Sequence, residues 1–369
     1  MMLVVNAGSS SVKFALYDAD LKDILSGSVT EIGGAARLRV GPEEAAAAAP
    51  DHDGAIALIL DVLAVRGHGP DRLTAAAHRV VHGGDRFTGT VRVTPEIIDG
   101  IAACIPLAPL HNPHNLAAIR ALGSLAPDLP QVAGFDTAFH ATQPEVERIY
   151  AIPAEDRARG LRRYGFHGIS YAGLVDSLRA AGRLPRRLLA LHLGNGASAC
   201  AIRDGASVAT TMGYSPTSGL TMGTRSGDID PMAVLELARV HGIDGAAARL
   251  NRGAGLLSLG GASDMRALAA RKDPAARLAR AHFTHACIRH AGALIAAMGG
   301  LDAVAFTGGI GENDAGLRRA ILDGLRWTGL VPGGAPPALH APESPVAAWI
   351  VPAEEERTLA RDARALLAS

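Results

Sequence analysis

Leu3-Val4-Val5-Asn6-Ala7-Gly8-Ser9-Ser10-Ser11-Val12-Lys13-Phe14-Ala15-Leu16-Tyr17-Asp18 opens the chain. Apolar residues flank a Gly/Ser turn, and beyond it Val12, Phe14 and Leu16 alternate with Lys13, Ala15 and Tyr17, the period-two pattern of a strand. Leu188-Leu189-Ala190-Leu191-His192-Leu193-Gly194-Asn195-Gly196-Ala197-Ser198-Ala199-Cys200-Ala201-Ile202-Arg203-Asp204-Gly205 repeats the arrangement about 185 residues later: strand, short polar turn, strand, closing Asp. The repetition predicts two related domains, each built around such a hairpin.

Outward from these hairpins the order is mixed α/β. Alanine-rich stretches at 53–66 and 116–122 have helical spacing, and short strands are expected at 76–81 and 131–133, with a second arm beginning near residue 138. A third glycine-rich element, Ala303-Val304-Ala305-Phe306-Thr307-Gly308-Gly309-Ile310-Gly311-Glu312-Asn313, follows an apolar strand and precedes a helical pattern at 317–322. A strand ending in glycines and running into a helix directs N–H groups toward one point, an arrangement that receives phosphates. It is neither a Walker A loop, having no Gly-Lys-Ser/Thr, nor a dinucleotide fingerprint.

With 369 residues the chain exceeds what one core usually organises, so a cleft between two domains is the expected site. Lys plus Arg and Asp plus Glu number 36 each, and aromatics are 4%. No charge excess favours nucleic acid or an anionic membrane surface, and base-stacking surface is scarce. Cys104, Cys200 and Cys287 form no CxxC pair, which speaks against a disulfide framework or a thiolate metal site and fits a reducing compartment. The N-terminal residues lack the basic lead-in of a signal peptide, and the longest apolar helical stretch, about 291–298, is too short to span a bilayer. A cytoplasmic protein is expected. The alanine run at 45–49 is read as compositional bias.

Three further stretches concentrate polar residues. His78-Arg79-Val80-Val81-His82-Gly83-Gly84 follows an apolar run, and its glycines would let a ligand approach the backbone. Leu110-His111-Asn112-Pro113-His114-Asn115 and Phe135-Asp136-Thr137-Ala138-Phe139-His140 cluster histidines, yet cap and turn roles beside Pro113 explain these better than zinc. Arg162-Arg163-Tyr164-Gly165-Phe166-His167-Gly168 is joined by Gly219-Leu220-Thr221-Met222-Gly223-Thr224-Arg225-Ser226-Gly227-Asp228-Ile229-Asp230-Pro231, a polar glycine loop whose proline suits the start of a helix.

Seven segments, at 6–13, 78–84, 135–140, 164–168, 192–196, 223–228 and 307–313, resemble in order those of the acetokinase family, within the superfamily of acetate and sugar kinases, heat-shock ATPases and actin. The resemblance runs from residue 3 to about 361. It implies an α/β fold of duplicated ribonuclease-H-like domains with a central cleft: residues 1–137 plus 354–369, then residues 138–353 with the nucleotide site and a homodimer interface. The activity it implies is reversible transfer of phosphoryl from ATP to acetate, giving ADP and acetyl phosphate. Magnesium is the implied ion, with manganese as a substitute. Propionate or butyrate kinases are the nearest alternative, and a non-catalytic nucleotide switch is the alternative of another class, disfavoured because both acyl-site arginines are present.

Carried over by matching motifs, Asp136, Arg79, Arg225 and His167 are the implied catalytic residues, and Asn6 and Glu355 the implied metal partners. The acid would lie against Arg79, Val81, Leu110, Phe166 and Pro216. The nucleotide would be held by Lys13, His192, Asn195, Gly196, Asp264, Met265, Arg266, Gly308, Gly309, Ile310, Gly311 and Asn313. Met265 stands where the family has an aromatic neighbour of the base; a thioether still packs on adenine but loses ring stacking. The chemistry suits these residues. An acetate carboxylate and a triphosphate repel each other, and guanidinium forks neutralise equatorial phosphoryl oxygens while matching carboxylate geometry. Acetate has already lost its proton at neutral pH, so Asp136 reads as an orienting group and not a general base.

Overall fold

The computed structural model describes residues 1–368. The chain divides into two compact units. The first comprises residues 1–139, 168–173 and the C-terminal segment from Glu354; the second comprises 140–167 and 174–353. The short piece 168–173 thus packs with the first unit, although it lies within the span expected to form the second domain.

The first unit contains an eight-stranded sheet. Its strands are β1 (Met2–Ala7), β2 (Ser11–Tyr17), β3 (Asp23–Thr30), β4 (Arg37–Val40), β5 (Glu43–Ala46), β6 (Ala75–Val80), β7 (Val91–Arg92) and β8 (Gln131–Phe135). The order is β5-β4-β3-β2-β1-β6-β8-β7. β1 pairs antiparallel with β2 but parallel with β6, which in turn pairs parallel with β8.

β1 is a near-continuous apolar run because both its faces are covered. Leu3 and Val5 enter one core with Phe14, Leu16, Ile56, Ile59 and Leu122. Met2 and Val4 enter another on the opposite face, against Ile169 and Leu359, Ala360 and Ala363 of the C-terminal helix Glu355–Ala368. The helix His52–Val65 starts where the Asp51 carboxylate accepts the Gly54 N–H at 2.8 Å. The alanine run is partly structured: Ala45 and Ala46 belong to the exposed edge strand β5, tied down by an Arg37–Glu44 ion pair and by Arg66 to Glu43 at 2.9 Å.

In the second unit a five-stranded sheet has the order β11-β10-β9-β12-β13. These strands are β9 (Arg187–Leu193), β10 (Ala197–Arg203), β11 (Ala206–Thr210), β12 (Ala303–Thr307) and β13 (Ala347–Ile350). Its directions, two antiparallel pairings from β9 to β11 and two parallel ones from β9 to β13, match those of β3-β2-β1-β6-β8. The internal repeat is therefore a duplicated topology.

The recurring Asp has a local cause in each copy. The Asp18 carboxylate accepts the Asp20 and Lys22 N–H groups at 2.9 Å, whereas Asp204 and Gly205 adopt the positive φ of a tight hairpin turn. Polar motifs collect at the carboxyl ends of the parallel strands, where open α/β sheets bind ligands.

Candidate active site

In the first unit three strand ends converge. Asn6 is the penultimate residue of β1, Arg79 of β6, and Asp136 follows β8 directly. The Asp136 N–H donates to the Val80 carbonyl at 3.0 Å, so the aspartate continues the sheet instead of hanging in a loop. Its carboxylate, 2% exposed, accepts from Arg79 Nη2 at 2.6 Å and from Nε at 3.1 and 3.2 Å. Arg79 Nη1 points to Asn6 Oδ1 at 3.4 Å. Burial alone would lower the Arg79 pKa; the Asp136 charge, with Glu355 and Glu356 beyond it, reverses this and raises it above the ordinary value. Glu355 begins the C-terminal helix and acts on Arg79 electrostatically from there. Val81 is buried and Leu110 is 41% exposed. Lys13 also belongs to this unit: it lies exposed on β2, the register partner of Asn6.

In the second unit His167 has left-handed backbone (φ 58°) just before the helix Gly168–Ala180, a conformation that costs energy for a residue with a Cβ and clusters at functional sites. Its Nδ1 is hydrogen-bonded to Ser198 Oγ at 2.8 Å, and its ring stacks on His192 with centroids 4.2 Å apart. A Cβ at Gly196 would sit 3.4 Å from His167 Nε2 and 3.5 Å from Arg225 Nη1, so these three positions meet. Arg225 Nη1 also donates to the Pro216 carbonyl at 3.2 Å, joining two residues that the sequence resemblance assigns to the carboxylate and acyl sites. Phe166 is buried, its carbonyl 2.9 Å from His140 Nε2.

Of the residues expected to hold the nucleotide, Asn195, Asp264, Met265, Arg266, Gly309, Ile310 and Asn313 line a cavity of about 540 Å³ together with Gly194, Ala269, Asp314 and Ala315, whereas Lys13, His192 and Gly196 are not in its lining. Of the three glycines after β12, Gly309 lines it. Gly308 and Gly311 are buried behind it: Gly308 has φ 78° and a Cβ there would lie 2.8 Å from the Leu193 carbonyl oxygen. Asp264 is chiefly a helix cap, its Oδ1 accepting the Arg266 and Ala267 N–H groups at 2.7 and 3.0 Å, which lower its pKa. Met265 forms part of the wall.

Several residues here escaped the sequence reading. Asp314 caps the next helix through the Leu317 N–H at 2.9 Å and accepts from Arg280 Nη1 at 2.9 Å. An Asp before Ala315-Gly316-Leu317 is a usable cap signal; its pairing with Arg280, from the second turn of the helix Pro274–Met298, is not. Ser198 gave no signal beyond lying on a strand. Among the described residues no group of three or more His, Cys, Asp or Glu side chains is placed to hold a metal ion.

The duplicated sheets, the Arg79 guanidinium at a strand end and the cavity lined partly by glycines are those of a phosphotransferase of the actin-like ATPase fold class. The sequence profile of the acetokinase family matches residues 1–361. Acetate kinase of Rhodopseudomonas palustris is 41% identical over 386 residues, covering 98% of this chain and 97% of that protein. Acetate kinase of Streptomyces griseus is 43% identical over 395 residues, covering 99% and 96%. Among solved structures, Porphyromonas gingivalis acetate kinase has a TM-score of 0.92 at 36% identity over 99% of both chains. A propionate kinase from Francisella tularensis has a TM-score of 0.93 at 34% identity over 98% of both. The chain belongs to the acetokinase family.

Proposed function

We propose that the protein is an acetate kinase, transferring phosphoryl reversibly between ATP and acetate. The observation that carries the reading is the Arg79–Asp136 pair: a buried carboxylate fixes a guanidinium at a strand end beside Val81, leaving Nη1 directed to the Asn6 side. In the direction of acetyl phosphate formation, an acetate oxygen attacks the γ-phosphorus as the bond to the β,γ-bridging oxygen breaks, releasing ADP. No proton need be removed from acetate. Arg79 and Arg225 offset the repulsion between the two anions, His167 donates to an equatorial phosphoryl oxygen, and Asp136 orients Arg79.

Asn6 and Glu355 offer hard oxygen donors too few to cage an ion by themselves, which suits Mg2+, an ion that completes its shell with phosphates and water. When bound, Mg2+ neutralises phosphate charge. Lys13, beside Asn6, fits the phosphate end of the nucleotide, and the 540 Å³ cavity fits the adenosine. Val81 and Leu110 in the first unit and Phe166 and Pro216 in the second are the apolar residues assigned to a two-carbon acid in this reading. The similarity to a propionate kinase favours propionate as a slower second substrate.

A cytoplasmic homodimer joined through the second domain completes the reading. It is supported by Met232, Leu235, Val240 and Ile243, which are 57–81% exposed on the helix Pro231–Arg252. Among the described residues no helix is long and apolar enough to cross a membrane. The test is incubation with ATP, Mg2+ and hydroxylamine across formate, acetate, propionate and butyrate. Trapped acyl hydroxamate greatest for acetate supports the reading, and none for any acid refutes it.

A further inference from the structure

The polar stretch at 110–115 contributes only Leu110 to the reading above. We propose that Asn112 and Asn115 are positioning residues that lock the ends of β1 and β6 together and so hold Asn6, Arg79 and Val81 in register for phosphoryl transfer. The proposal rests on the kinase reading for its activity readout only.

Paired register between β1 and β6 ends at Val5 and His78. Beyond that point the ladder between the two strands stops, and the residues that bear the proposed chemistry begin. The Asn115 carboxamide, 2% exposed, takes over: Oδ1 accepts the Val81 N–H at 3.1 Å and Nδ2 donates to the Ala7 carbonyl at 2.8 Å. One side chain thus replaces the missing ladder and ties the residue after Asn6 to the wall of the acyl pocket. Asn112, 0% exposed, grips the next residue on both sides, accepting the His82 N–H at 3.1 Å and donating to the His82 carbonyl at 2.9 Å.

Residue type and spacing both follow. Each position must accept from one backbone N–H and donate to one carbonyl, which a carboxamide does and a carboxylate or aliphatic group does not. Three-residue spacing in the first turn of the helix Asn112–Leu125 puts both carboxamides on one face, and Pro113 suits that first turn. The same turn supports the hairpin: His114 stacks on His52, centroids 5.1 Å apart, and His52 Nε2 donates to the Gly8 carbonyl at 2.7 Å. His114 thereby packs on a neighbouring ring of the same unit.

The experiment compares Asn115→Asp and Asn115→Ala with the full-length wild type, with Asn112→Ser as a variant that severs only the His82 grip. Asn115→Asp keeps the acceptor for Val81 and loses the donor to Ala7. In folded variants kcat should fall by about 10- to 100-fold and KM for acetate should rise, while the Kd for ATP measured by calorimetry changes by less than about twofold. Amide hydrogen exchange at 6–8 and 79–82 should quicken in both Asn115 variants whether or not turnover is measured. If wild type makes no acyl phosphate, the kinase reading fails while exchange still tests the lock. Folded variants with a lower Tm but wild-type kcat and acetate KM, or with unchanged exchange at these segments, overturn the proposal.

Discussion

Arg79 and Asp136 form a side-on pair in which Nη2 reaches Oδ2 at 2.6 Å while Nε lies 3.1 Å from Oδ1. Two contacts to one planar group fix orientation as well as distance, and a lysine in place of Arg79 would supply neither the second donor nor the plane. Because the aspartate is almost fully buried, it has little freedom to follow a displaced partner.

Asp136→Asn should keep the shape and remove the charge that holds Arg79. Acetate-dependent kcat is expected to drop by about 100-fold or more, with nucleotide affinity nearly unchanged, because the cavity that fits adenosine is lined by other residues. Steady-state kinetics beside equilibrium nucleotide titration gives the answer; retained turnover would remove Asp136 from the mechanism.

Arg79→Ala and Arg225→Ala should each bind ATP and lose most turnover, at a barrier cost of about 3 kcal/mol. Arg225→Lys is expected to recover little, since the fork that reaches the Pro216 carbonyl is lost with the guanidinium. Normal kcat in both alanine variants would dismiss the clamp.

Val81→Ala removes two methyl groups from a buried wall and should raise the propionate-to-acetate ratio of kcat/KM by about 10-fold. An unaltered ratio across the acid series would show that Val81 is not part of the acyl pocket.

Met265→Ala opens the wall of the cavity proposed for the nucleotide and should raise KM for ATP by about 10-fold while leaving KM for acetate alone. A change confined to acetate would move Met265 out of the base site.

His78, His82 and His140 are buried, and burial lowers each pKa to about 4 from 6.5. Between pH 6.5 and about 4 the unfolded chain takes up protons that the folded chain refuses, so stability should fall as pH falls through that window. Denaturant midpoints measured from pH 7 to 4 should decline, and His140→Gln should flatten the slope. A midpoint independent of pH over this range would contradict the neutral, buried state of these rings.

What local sequence specifies differs from one element of this fold to the next. Alternation at 12–16 and the glycine turns sufficed for both hairpins, because a two-faced strand and a positive-φ turn restrict residue choice locally. The pairing of β1 with β6 and of β9 with β12 needed the tertiary structure, since parallel neighbours are joined by long connections whose partners no local pattern names.

The sequence by itself determined the duplicated hairpins, the glycine-rich strand ends, and the residue types able to neutralise an anion. Those follow from short-range stereochemistry and side-chain charge. Only the tertiary structure decided that Asp136 is the partner of Arg79, that His167 takes a left-handed backbone, that Gly309 and not Gly308 faces the cavity, and that Asn115 joins two strand ends. Each of these depends on burial and on hydrogen bonds between residues distant in the chain, and their energies exist only once the backbone has closed around them.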